Sequence, residues 1–189
     1  MPATALDTTT ALVLIDFQKG ITALPCVHPT DEIVARAARL AAAFRARDLP
    51  VVLVNVTGAA PGRTQIARPA GTPPADWAEL VPGLGRRPGD ILISKRRWGA
   101  FHGTGLDEEL RRRGVTQVVL GGIATSMGVE STARAAHEHG YHVTVATDAV
   151  TDPDAEAHHR AVEKIFPRLG ETGSVDAIIA LLEQGGARG

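Results

Sequence analysis

GGIATSMGVESTARAA, Gly121 to Ala136, follows the apolar run Gln117-Val118-Val119-Leu120. The run reads as a buried strand, the glycines and Thr125-Ser126 as a tight turn, and Ser126 to His139 as a helix closed by Gly140. Strand, turn, helix is the unit from which parallel sheets are built. The same unit recurs on both sides. Val13 to Ile15 is a short apolar run ending at Asp16. Pro50 to Asn55, Asp90 to Lys95 and Val143 to Ala146 are three more buried strands, the last followed by Asp148. Continuous apolar runs, in place of alternation, mark strands covered on both faces.

Helices fill the intervals. Ile33, Ala37, Leu40, Ala41 and Phe44 share one helical face, with Asp31 and Glu32 in the first turn. The spacing predicts a helix over Thr104–Arg113 closed by Gly114 and one helical turn at Asp76–Leu80. It also predicts a helix over Ala155–Phe166 stopped by Pro167, and a last one from Ser174 to about Glu183. Right-handed crossovers then give one α/β domain spanning 1–189: a mostly parallel sheet between two helical layers, core about 11–183, with 184–189 a flexible tail.

Composition agrees. The chain has 189 residues, 44% apolar and 22% charged, with a net charge of −1, which excludes a global pull toward nucleic acid or a membrane surface. No basic leader or spanning apolar run is visible, so a cytoplasmic location is expected. Cys26 is the single cysteine, which excludes an internal disulfide and a cysteine-based zinc cluster. His28 and His102 stand apart and His158-His159 falls on a late helix, so no metal or other cofactor is expected.

In open parallel sheets, ligands bind beyond the carboxyl ends of the strands. That rule selects Asp16, Asn55, Lys95, the 122–128 turn and Asp148. A carboxylate after Val-Leu-Ile is partly desolvated, which suits acid–base work; Asp16 equally reads as a turn cap. Lys95 reads as a partner for Asp16 or a substrate anion, or as a solvated strand end. The first helix amides after the turn are unpaired within the helix and suit an anion, while Thr125 or Ser126 also serves as a plain N-cap. Thr132 and Arg134 lie deeper and orient their neighbours.

Together these pieces resemble a family. Asp16 after its strand, Lys95 opening KRRWGAFHGTGLDEELRRRG, and GIATSMGVESTARAA are similar to the isochorismatase-like hydrolases, the cysteine hydrolase superfamily, over about residues 11 to 183. The resemblance implies a three-layer, Rossmann-like αβα fold with six strands. It implies a cis peptide at Ile123-Ala124 and a homodimer or higher homo-oligomer. Amide-cleaving members carry a nucleophilic Cys where this chain has Gly128, and glycine supplies no nucleophile. The resemblance therefore points to acid catalysis by Asp16 with Lys95 on a small anionic substrate, such as an enol ether. Ile123, Ala124, Thr125, Arg63, Arg96, Trp98 and Phe101 are expected to bind it, with Arg97 a further candidate for substrate carboxylates. Three other readings stand beside this one: Cys26 as a displaced nucleophile; Ser126 in a G-x-S-x-G-like elbow with Asp148 or Asp152 and His158 or His159; and an inactive metabolite-binding or scaffold protein.

Overall fold

Six strands form one all-parallel sheet: β1 (Thr10–Ile15), β2 (Val51–Val56), β3 (Ile91–Lys95), β4 (Gln117–Ile123), β5 (His142–Thr151) and β6 (Glu171–Gly173), in the order β3-β2-β1-β4-β5-β6. The computed structural model describes residues 3–66 and 71–185. Residues 67–70 of the 57–75 loop and 186–189 of the expected tail lie outside them.

Helices α1 (Lys19–Thr22), α2 (Thr30–Arg45), α3 (Leu106–Arg112), α4 (Glu130–Glu138), α5 (Ala155–Arg160), α6 (Phe166–Leu169) and α7 (Val175–Gly185) connect or follow the strands. Alternate residues of β1 serve opposite layers. Ala11, Val13 and Ile15 pack with Leu106 and Leu110 of α3, Ala133 and Ala136 of α4 and Phe166. Leu12 and Leu14 pack with α2, through Ile33, Ala37, Leu40, Ala41 and Phe44, and with Val175, Ile178 and Leu182 of α7. Every residue of β1 and β4 is buried, which is why neither alternates in sequence. Among the described residues no helix is long and apolar enough to cross a membrane.

Four local expectations change. The expected helix from Ser126 begins as one π-helical turn, Thr125–Val129, and becomes α-helical only at Glu130. The 155–166 helix likewise passes through a π-turn at Ala161–Ile165 and continues as α6 with Pro167 in its first turn. A first-turn residue needs no intrahelical N–H donor, so proline fits there and does not stop the chain. Residues 76–80 make turns and a bridge from Leu80 to Gln18 in place of a helical turn. At the carboxyl end, Gln184 and Gly185 extend α7, where a flexible tail was expected.

The fifth strand is longer than its apolar run. A register shift against β4 sets Leu120 beside Val145 but Gly122 beside Val150, so β5 continues to Thr151. Asp148 thus lies inside the irregular stretch, where its Oδ1 accepts the Val175 amide at 2.7 Å and anchors the start of α7. The acid that follows the strand is Asp152.

Candidate active site

The strand order reverses between β1 and β4, and the crevice between their carboxyl ends is where this architecture places a ligand. Asp16 leaves β1 and the 123–128 turn leaves β4. Asp16 adopts a left-handed backbone, φ 58°, while its amide still donates to the Val54 carbonyl at 2.8 Å. Aspartate tolerates this conformation better than most residues, and it ends the strand abruptly. Gly122 beside it has φ 152°, and a side chain there would run into the Ile15 carbonyl.

Lys95, at the end of β3, reaches across β2 to Asp16. Its Nζ donates to Asp16 Oδ2 at 2.7 Å and to the Arg97 carbonyl at 3.1 Å. Both residues are buried, Lys95 at 2% and Asp16 at 5% exposure. Asp16 Oδ1 is buried with no hydrogen-bond partner among the described residues. Burial raises the Asp16 carboxyl from 3.8 to about 6, outweighing the Lys95 charge and hydrogen bond, which pull it down.

Gly128 faces this carboxyl. A Cβ built on it would lie 3.1 Å from Asp16 Oδ2, 3.2 Å from Ile15 Cγ2 and 3.6 Å from the Trp98 carbonyl oxygen. The segment after Lys95 is pinned to α4 from the other side: Thr132 Oγ1 donates to the Gly128 carbonyl at 2.6 Å and accepts from the Ala100 amide at 3.1 Å. Arg134 pairs with Glu130 one turn back on the same helix, at 2.9 Å.

The Ile123–Ala124 peptide is cis. Beyond it the turn is held from behind. Asp152 Oδ2 accepts from the Ser126 amide at 2.7 Å and from Ser126 Oγ at 2.8 Å; Thr125 Oγ1 meets His158 Nδ1 at 2.9 Å. The Met127 and Val129 amides both donate to the Ala124 carbonyl. The expected bank of open helix amides is thus largely occupied by the protein itself, and the Ser126 amide in particular is unavailable to a ligand.

The other expected residues separate. Ile123 is buried and Ala124 half-buried at the turn, with Thr125 fully covered. Arg96 and Trp98 are exposed, Trp98 at 63%, and the Arg96 guanidinium lies across Gly58. Arg63 is exposed on the 57–66 segment. Phe101 is turned away: its ring is buried in the α3–α4 layer and stacks on His139 at 5.0 Å, at the end of α4 remote from Gly128. It is a packing residue, because the loop from Lys95 passes the site and then dives under the helix. Asn55 also serves structure, donating to the Ala78 carbonyl and accepting from Ser94.

Ser126 donates its hydroxyl hydrogen bond to the Asp152 carboxylate, while His158 meets Thr125 and Asp148 anchors α7. Burial and the Asp152 charge push the Cys26 thiol up, the reverse of what a thiolate nucleophile needs. Among the described residues no group of three or more His, Cys, Asp or Glu is placed to hold a metal ion. Two clefts among the described residues, about 550 Å³ beside β2 and β3 and about 450 Å³ at the amino ends of the strands, include none of Asp16, Lys95 and Gly128.

Comparison with known proteins fits this geometry. Residues 10–177 match the isochorismatase domain. The chain is 44% identical to YecD, an uncharacterized isochorismatase family protein of Escherichia coli O157:H7, over 92% of this chain and 96% of the other. It is 32% identical to ureidoacrylate amidohydrolase RutB of Methylobacterium radiotolerans, over 94% of this chain and 82% of the other. An isochorismatase family protein from Burkholderia thailandensis superposes with a TM-score of 0.91 at 44% identity, covering 95% of this chain and 98% of that one. The chain belongs to the isochorismatase family of hydrolases.

Proposed function

We propose that this hydrolase works by acid catalysis from Asp16, without a thiol, on a small anionic substrate with an enol-ether bond. The observation that carries the reading is the asymmetric Asp16 carboxyl: Oδ2 is held by Lys95, and Oδ1 is buried with no partner. A carboxyl raised to about 6 keeps a usable fraction protonated near neutral pH. Gly128, standing where the amide-cleaving members of the family carry cysteine, sets no side chain against the Asp16 carboxyl.

The step balances simply. Asp16 gives its proton to the terminal carbon of the vinyl ether, leaving an oxocarbenium ion at the ether carbon. Water adds to that carbon and its surplus proton returns to Asp16. The hemiketal collapses to a carbonyl product and an alcohol. Lys95 orients the acid, and Trp98 with Arg96 and Arg63 supplies a mixed apolar and cationic entrance for an anionic substrate. We further infer a homodimer or higher homo-oligomer, supported by the exposed apolar Leu92, Trp98 and Met127; sedimentation showing only monomer would remove that part.

The test is turnover of isochorismate and simpler enol ethers by the wild type, Asp16→Asn and Cys26→Ala. Asp16→Asn should lose roughly a hundredfold or more in kcat, the usual scale for a general acid, while Cys26→Ala stays active. Undiminished turnover by Asp16→Asn would sink the acid role. Loss in a folded Cys26→Ala would restore a thiol.

A further inference from the structure

We propose that Asp152 is a positioning residue of the site: through Ser126 it holds the turn that carries Gly128 down on Asp16, and so keeps the acid sealed from water. The inference rests on Asp16 being the acid of the reading above.

Asp152 is fully buried, directly after β5, with the His158 ring near enough to feel its charge. A buried carboxylate is costly unless its lone pairs are filled. Here backbone and hydroxyl donors fill them: Oδ2 takes the Ser126 amide and hydroxyl, and Oδ1 takes the Asp154 amide at 2.9 Å. Its own carbonyl accepts the Val27 amide at 2.9 Å, tying in the loop that follows α1. One residue therefore joins the turn to the loop after α1 and to the start of the segment that leads into α5. The π-helical opening of the 125–129 turn explains the need, since amides at a helix start lack intrahelical partners and have to be met from outside.

From Ser126 the effect reaches Asp16 in two residues. Gly128 lies against the Asp16 carboxyl, and Asp16 Oδ1 has no partner. A turn released from Asp152 rises from the carboxyl and admits water to Oδ1. Desolvation is the largest influence on Asp16, so its loss makes the acid stronger. His158, on Thr125, braces the neighbouring residue, but its contact is single where that of Asp152 on Ser126 is double.

The experiment is a carbon-13 NMR titration of the Asp16 carboxyl in the ligand-free protein, with thermal midpoints recorded in parallel. Wild type should titrate near 6. Asp152→Ala should bind the Asp16 proton at least tenfold more weakly. Asp152→Asn should fall between, since its amide oxygen still accepts on one side while its nitrogen, a donor, cannot meet the donor on the other. Ser126→Ala keeps the amide contact and should shift it less than either. An Asp16 titration unmoved in the Asp152 variants, with only the thermal midpoint lowered, overturns the proposal and leaves Asp152 a stabilising residue. A second measurement needs no variant: the Ser126 amide of the wild type should be protected from hydrogen exchange, and free exchange would also overturn it. Both readouts are taken without substrate, so failure of all enol ethers to turn over counts against the catalytic reading alone.

Discussion

At the scale of single residues, Asp16 concentrates the conflict that makes a site. Its carboxyl is buried by Ile15, Gly128 and the turn, so its charged form is disfavoured, while Lys95 supplies part of the lost solvation. On the proposed mechanism protonated Asp16 is the acting form, so kcat/KM on an enol ether should fall as pH rises through about 6. A profile flat from pH 5 to 8 would contradict this. Lys95 lowers the Asp16 value, so Lys95→Met should move the fall to higher pH, and a move downward would show that burial is not the main influence. Gly128→Ala tests the space opposite. The added methyl meets Asp16 Oδ2 at 3.1 Å and Ile15 at 3.2 Å, tighter than ordinary contact, so it should cost about 1 kcal/mol in urea unfolding. It should also depress turnover, because it stands over the acid.

At the scale of elements, the site is an affair of strand ends and helix starts. The apolar runs made β1 to β4 legible, and with them Asp16, Lys95 and the turn. β6 was not legible from its residues, because Glu171-Thr172-Gly173 is three residues long and only half-buried. The length of β5 was hidden for a related reason. Its register shift breaks the apolar run at Thr147-Asp148, so Asp148 looks like the strand end and Asp152 like loop. The π-turns were equally hidden, since one inserted residue in a helix leaves no local mark on periodicity. The start of α5 carries its own test. Asp154 caps it by accepting the Ala157 amide at 3.0 Å, so Asp154→Ala should lose about 1 kcal/mol. The Asp154 amide that serves Asp152 survives this change, so Asp16 should titrate as in wild type.

At the scale of the whole molecule, two apolar layers clamp a sheet whose carboxyl edge carries buried charge. Phe44, fully buried in the α2–α7 layer, shows how much the packing contributes: Phe44→Ala should cost about 3–5 kcal/mol by urea unfolding. The carboxyl edge makes stability depend on pH. Asp16 is raised from 3.8 to about 6 by folding, so the native state binds its proton more tightly than the unfolded chain. Its contribution, about 3 kcal/mol, is fully present below 3.8 and lost as pH rises through about 6. The wild type should therefore gain on Asp16→Asn as pH is lowered from 7.5 to 4.5; an equal difference at both ends would refute the shift. His158 works in the opposite sense. Burial, His28 and His159 lower it, so its contribution is present above 6.5 and lost as pH falls. The comparison with Asp16→Asn cancels that effect.

The sequence by itself determined the alternation of strands and helices, the parallel sheet, and three candidate pieces of chemistry at strand ends. Those follow from local patterns: a buried strand must be apolar throughout, and a helix must repeat its apolar face. Only the tertiary structure decided which pieces meet. Asp16 and Lys95 are 79 positions apart, and what joins them is the order β3-β2-β1, which no local pattern encodes. The same holds for Asp152 behind Ser126, for Phe101 turned into the core, and for the unpartnered Oδ1 of Asp16. Periodicity reports which surface a residue buries, whereas a site depends on what stands opposite that surface, and this is fixed only when distant segments pack.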